Sequence, residues 1–360
     1  MANAFTGLSA ANAVHLLVGN LVIGVGEGLL LAALVDTPRR QCVFTMILAN
    51  YVSAWVGFIL LERLVLWFSV DINNMGVWLW TVLGIAYLLT VVLEWPFIVS
   101  LLDRSVKWFG SSVKLSFLVQ GVSYIVMVAF YWQAWAGSNY TRLEVVRPAA
   151  IPMPQAVVVY YIGSDGDVYR RPLTGGAGER VASVHSQNLN DRVLTVPNAV
   201  ESNKWDLCVL LKNSGHGEAH LQTLRTNMTV SAVDNRFFNG GSGIPDDVSH
   251  AYGVALHLDG ATNNDPHVMV WGSGALGVSC GSQRGGWHYR YVMETLLMTW
   301  EFCNAVLLPE DKLLCQLGGD QICMVDLPNR RIVLLWHGRG PVPVIENNGQ
   351  RDGAGVNGRN

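Results

Sequence analysis

Four long apolar stretches lie between Val14 and Trp135, and they constrain this chain more than any other feature. A helix that crosses a bilayer needs roughly 20 mainly apolar residues. Residues 13–35, 43–68, 77–102 and 115–135 each meet that requirement. Each stretch closes on polar or helix-breaking residues: "DTPRR", "SVDINNMG", "DRSVKWFGSSVK" and "AGSNY". The first lacks a basic leading region and is too long for the core of a signal peptide, so the expectation is a retained helix. Only 14% of the chain is charged, against about 25% in an ordinary soluble domain. The deficit is confined to the part before Arg142, so two regions of different class are expected. A net charge of −3 with no basic stripe argues against a nucleic-acid partner.

Orientation follows from the distribution of Lys and Arg. Arg39 and Arg40 lie in the first connection, and Arg104, Lys107 and Lys114 in the third. The second connection and the amino-terminal tail carry none, so both termini are expected outside the cytoplasm. Arg142 and Arg147 oppose that assignment but belong to the start of the following domain. "VWLW" and "WQAW" supply interfacial tryptophans on the outer side.

Polar side chains inside such helices are costly, which makes them informative. They are His15, Asn20 and Glu27 in the first helix, and Asn50, Glu62 and Arg63 in the second. Glu94 follows in the third and Gln120 in the fourth. At about 1.5 Å per residue, Glu27 and Glu94 fall roughly 20 and 25 Å from the outer ends of their helices. Asn50 and Gln120 reach a similar inner layer, and His15, Glu62 and Arg63 fall near the outer end. Asn20, Gly24, Glu27 and Gly28 share one helix face, as do Asn50, Ser53, Ala54 and Gly57. Gly24-x-x-x-Gly28 and Ala54-x-x-Gly57 are small-residue surfaces suited to close helix approach. The layer is therefore expected on packing faces, either as interhelical hydrogen bonds or as a site for an ion, a proton or a polar solute. Pro96, two residues after Glu94, is expected to kink its helix.

"RPAAIPMP" is expected to act as a short extended spacer. Beyond it the apolar period becomes two, with turn residues between runs. "VVVYYIGSDGDVYRRPL" predicts a hairpin with an Asp165–Gly166 turn. "WDLCVLLKNSGHGEAHLQTL" and "YGVALHLDGATNNDPHVMVW" repeat the plan, and residues 304–340 predict three or four successive strands. One helix is expected near residues 291–300. Hairpins recurring at about 40 to 50 residues match the blade length of a propeller, with a β-sandwich as the alternative. The closing "NNGQRDGAGVNGRN" is expected to be disordered.

Candidate chemistry is sparse. "HGEAH" (216–220) places Glu218 one residue too late for the zinc-protease pattern and sits in a Gly-rich turn. "GVSCG" (277–281) makes Ser279 a weak candidate nucleophile, with Asp326 and His337 following in hydrolase order. That motif needs a strand–turn–helix elbow, which the local pattern does not supply. "IGVGEG" does not satisfy G-x-G-x-x-G and lies within an apolar helix. "SNYT" and "TNMT" are glycosylation sequons. Six cysteines include no CxxC; Cys315 and Cys323, on neighbouring expected strands, could form a disulfide or remain buried thiols.

The expected fold is a membrane α-helical bundle of four transmembrane helices plus an all-β carboxy-terminal domain, a small degenerate propeller. Its parts are a tail (1–12), the helices (13–137), a Pro-rich linker (138–154), the β domain (155–346) and a tail (347–360). No metal or cofactor is expected. The partners expected are membrane lipids and a protein partner or a second copy, at a bacterial inner membrane. The first functional expectation is an extracytoplasmic binding or scaffold module. Transport through the Glu/Asn/Gln layer and Ser-dependent hydrolysis are the alternatives.

Overall fold

Two glycines one helical turn apart determine how the first helix packs. In a computed structural model, a Cβ on Gly24 would lie 2.7 Å from the Ile47 Cα, and one on Gly28 only 2.4 Å from the Val43 Cα. The backbones of two helices therefore meet with no room for a side chain between them. The structure describes residues 18–65, 70–102, 108–136, 141–189, 191–201, 203–212, 219–232, 253–254, 256–257, 267–270, 277–282, 286–293, 300 and 302–346. His15 and the tail 347–360 lie outside these, as do residues 216–218 of "HGEAH".

The chain divides into two compact units between Asn139 and Tyr140. Among the described residues the first holds four helices: α1 (Asn20–Leu34), α2 (Arg39–Val65), α3 (Met75–Ser100) and α4 (Trp108–Ala136). Each packs on the next, and α1 also meets α4. A turn in which Asp71 Oδ1 accepts the amides of Asn73 and Asn74 leads into α3. Pro96 lies inside α3, which continues to Ser100. A small apolar core joins Leu31, Cys42, Met46, Ala49, Ile98 and Val119.

Two segments, Met75–Ser100 and Gly110–Gln133, are long and apolar enough to cross a membrane. α1 is apolar but spans 15 residues, roughly 22 Å at 1.5 Å per residue. Part of its expected length, residues 13–17, lies outside the described residues. α2 is long, but Arg39, Arg40, Glu62 and Arg63 dilute its apolar character. Gly57 departs from expectation, because nothing lies within 4 Å of where its Cβ would be. The close approach belongs to Gly24 and Gly28 alone among the described glycines of α1 and α2.

The second unit is built from β-strands. One five-stranded sheet runs in the order Glu179–Ala182, Val168–Pro172, Val157–Ile162, Arg339–Glu346, Val230–Ser231, all antiparallel. The Asp165–Gly166 turn of its hairpin is as expected, with Gly166 at φ +85° against the Ser186 backbone. All six residues of Val157–Ile162 are buried, so both faces of this sheet are covered. Val157, Val159 and Tyr161 pack on Val306, Leu314, Met324 and Trp336. Val158, Tyr160 and Ile162 pack on Val193, Leu207, Val209 and Met228.

The first set of partners belongs to a meander of Phe302–Leu308, Lys312–Leu317, Gln321–Asp326 and Arg331–His337. The second belongs to Arg192–Pro197, Trp205–Lys212 and Ala219–Met228. A further antiparallel set joins Gly253–Val254, His267–Val270, Gly277–Ser282 and Gly286–Val292. Tyr291, at the start of the expected helix, lies instead in the last of these strands.

The expected linker is not a free spacer. Thr141–Arg142 pairs in parallel with Tyr291 and Val292, and Glu144–Val145 with Arg331 and Ile332. Pro148–Ala150 forms a 3-10 turn, and Ile151 is buried in the core beside Val157 and Trp336. The apolar residues between the prolines have sheet edges to cover, and that burial outweighs the extended preference of a Pro-rich segment.

Candidate functional site

The polar layer of the helical unit gathers one contribution from each helix. Glu27, Asn50, Glu94 and Gln120 are all buried. Asn50 Nδ2 donates to Glu27 Oε2 at 2.5 Å and to the Met46 carbonyl at 3.1 Å. Ser53 Oγ donates to Glu94 Oε1 at 2.5 Å, and Gln120 Nε2 donates to Glu94 Oε2. Ser123, one turn beyond Gln120, donates to the Gln120 carbonyl at 3.0 Å and, with Gln120, approaches the Glu27 carboxyl. Glu27 Oε1 is buried and accepts no hydrogen bond from the described residues.

The sequence pattern leads to this geometry. Glu27 lies on the Gly24/Gly28 face, so the close approach of α1 to α2 carries it against Asn50. Ser53, three residues after Asn50, shares its face and turns toward α3. Asn20 is buried two turns from Glu27 on the same face of α1. Ser53 and Ser123 complete the cluster, although hydropathy marks neither; the signal available was the step of three from Asn50 and from Gln120. Glu62 and Arg63 lie near the carboxy-terminal end of α2, their side chains outside the described residues.

The hydrolase candidates do not converge. Ser279 lies within Gly277–Ser282, an antiparallel strand whose register pairs it with Met269 and Arg290. A nucleophile elbow needs a strand–turn–helix at that point. Asp326 and His337 occupy opposite ends of one hairpin, where Asp326 pairs with Arg331 and His337 with Gln321. Asn329 Nδ2 donates to Asp326 at 3.0 Å, and His337 Nδ1 lies 3.1 Å from Asp320. His220 is exposed on the strand Ala219–Met228. Among the described residues no group of three His, Cys, Asp or Glu could hold a metal ion.

Cys315 and Cys323 are direct register partners, yet they form no disulfide and both are buried thiols. The Cys315 thiol donates to the Cys323 carbonyl at 3.8 Å rather than meeting its sulfur, and burial pushes that thiol up. Of the two outcomes expected for this pair, the structure contains the thiols.

A second buried polar group sits where strands of the β unit converge. Gln316 Oε1 accepts from Asn304 Nδ2 at 2.9 Å and from the Gly340 amide at 2.8 Å. Its Nε2 donates to the Gly319 carbonyl at 2.9 Å. Gly340, at φ +56°, lets the Arg192 backbone approach to where a Cβ would be 2.6 Å away. Burial lowers the Arg192 guanidinium to about 10, so it is still cationic at neutral pH. Arg339 donates to the Ser186 hydroxyl and carbonyl, both at 2.7 Å, and Ser186 in turn donates to Asp191. Gln316 and Ser186 are satisfied within the fold, as a structural role requires.

Comparison with protein-family models, with curated proteins and with solved structures finds no match for this chain.

Proposed function

We propose that the chain is a four-span membrane protein that presents an extracytoplasmic β-module for binding or scaffolding. The observation that carries the membrane half is the inversion of its polarity. Asn20, Glu27, Asn50, Ser53, Glu94, Ser112, Ser116 and Gln120 are buried, while Val22, Phe44, Trp55, Ile59, Val77, Val92 and Ile125 are each more than half exposed. Water does not favour that distribution, and a bilayer does. Exposed apolar faces on α1 and α2 extend the argument from the two longest apolar segments to all four helices. The exposed Arg39, Arg40 and Lys114 support a cytoplasmic side for their two connections.

The β unit is read as a small propeller-like module. Successive sheets pack face to face, and the last meander packs back on the first sheet. The carboxy-terminal strand pairs with Val157–Ile162, as closure of a ring requires. A two-sheet sandwich leaves the outer face of each sheet to solvent, and Val157–Ile162 has no such face. Binding is favoured over Ser-dependent hydrolysis because Ser279, Asp326 and His337 lie on separate strands.

The test uses the full chain in its membrane. After alkaline extraction the chain stays with the bilayer, and protease added to sealed cells cleaves the β unit from outside. Release with soluble proteins would sink the membrane reading, and protection of the β unit would reverse its side. Full-length protein in lipid discs that retains no envelope glycan or peptide would count against the binding role.

A further inference from the structure

The polar layer contains a charge imbalance that its own residues do not resolve. Two carboxyl groups, Glu27 at 3% and Glu94 at 0% exposure, share one buried cluster. Their donors Asn50 and Ser53 lie one turn apart on the same face of α2. Every side chain that faces a carboxyl oxygen there is a neutral hydrogen-bonding group: Asn50, Ser53, Gln120 or Ser123. No Lys, Arg or His is among the described buried residues of the helices. Two like charges in a buried site cannot both persist without a compensating cation or proton.

A second observation shows where compensation falls. Both oxygens of Glu94 accept hydrogen bonds, from Ser53 and Gln120. Glu27 accepts from Asn50 through Oε2, Ser123 and Gln120 also approach its carboxyl, and its Oε1 is buried without a geometric hydrogen bond among the described residues. Burying a charged carboxylate oxygen with few hydrogen bonds is costly. A proton placed there leaves the bonds from Asn50, Ser53 and Gln120 undisturbed.

We propose that the four helices form a proton-binding site in which Glu27 and Glu94 share one proton, carried at Glu27 Oε1. The step moves a proton between water and a carboxylate, and only an O–H bond forms or breaks. The groups facing the pair are Asn50 and Ser53 from α2, Thr90 from α3, and Gln120, Ser123 and Tyr124 from α4. Of these only Tyr124 titrates, and its hydroxyl lies 3.0 Å from the Thr90 hydroxyl. Glu94 is then the charged member, held by two donors, and Glu27 the neutral one.

The proposal rests on the membrane reading of the bundle and not on the binding role of the β unit. The experiment is infrared spectroscopy of the full chain in lipid discs at neutral pH, with and without carbon-13 label on glutamate. One protonated-carboxyl band is expected, shifted by the glutamate label and by deuterium oxide, and lost in Glu27→Gln. Absence of such a band in the unsubstituted protein overturns the proposal even if Glu27→Gln fails to insert. A band kept in both Glu27→Gln and Glu94→Gln overturns it as well. A band that sodium abolishes at constant pH makes the occupant a cation instead and also overturns it. A chain that does not partition into bilayers breaks the membrane reading before any spectrum is recorded, so the two failures are distinct.

Discussion

The two units of this protein bury opposite things. In the β unit the interior is Val, Leu, Ile, Met and Tyr, with polar groups such as Gln316 held by hydrogen bonds from several strands. In the helical unit carboxyls and amides are buried beside the small apolar core of Leu31, Met46 and Ile98, while Phe44, Val77 and Ile125 face outward. The contrast teaches what each unit uses for cohesion. The sheets are held by removal of apolar surface from water. The helices rely on close backbone approach at small residues and on hydrogen bonds between polar side chains.

That comparison can be broken in order of expected effect. Ending the chain after Gly338 removes Arg339–Glu346, the strand between Val157–Ile162 and Val230–Ser231. The β unit then loses its central pairing and fails to fold, seen as complete loss of protease resistance in the full-length membrane preparation. Gly28→Leu puts a side chain where Val43 backbone already lies. A cost of at least about 3 kcal/mol, at the upper end for overpacking, is expected as lower thermal stability of the helices in detergent. An outcome near zero would mean that α1 does not lie against α2.

A matched pair of surface changes sharpens the contrast. Ile125→Lys, at a site 72% exposed on α4, is expected to oppose membrane insertion by about 2.5 to 3.5 kcal/mol. Val200→Lys, at 91% exposure in the β unit, is expected to change stability by less than about 0.5 kcal/mol. A glycosylation-reporter insertion assay reads the first and thermal unfolding the second. Equal, small effects would refute the claim that the helices face lipid.

The smallest expected effect is a pH dependence in the β unit. Burial alone would raise the Asp167 carboxyl. The amides of His185 and Val184, the Ser183 hydroxyl and Arg180 outweigh it and hold the group below its ordinary value. A depressed carboxylate contributes stability that is full above the unfolded value, about 3.9 for Asp, and lost as pH falls through the folded value. Asp167→Asn should therefore flatten the acid limb of the unfolding temperature against pH and leave its shape at neutral pH unchanged.

Much of the helical site was legible because helices are local. Steps of three and four put Asn20, Gly24, Glu27 and Gly28 on one face, and Gly24 and Gly28 do meet α2. Gly57 satisfied the same pattern and meets nothing; small residues permit close approach without enforcing it. The hairpins at Asp165–Gly166 and across residues 302–337 were legible from period two and turn chemistry. Pairings between distant segments were not. Nothing local marks Glu144–Val145 as an edge strand beside Arg331–Ile332, or Ile345 as the partner of Val157. The same limit applies to the hydrolase pattern, where Ser279, Asp326 and His337 have the right order in the chain and the wrong places in the sheets.

The strand that closes the β unit also sets a clock. Arg170 and Glu346 grip each other through a forked ion pair across 176 residues of chain. At about 5 to 20 residues per second of synthesis, Val157–Ile162 waits roughly 10 to 35 s for its central neighbour to be made. During that interval six consecutive residues that end up buried on both faces have only half their shelter. The newborn chain is therefore most exposed to aggregation and proteolysis until Arg339–Glu346 has been made. A ribosome stalled between Ile162 and Arg339 is more dangerous to this protein than one stalled among the helices.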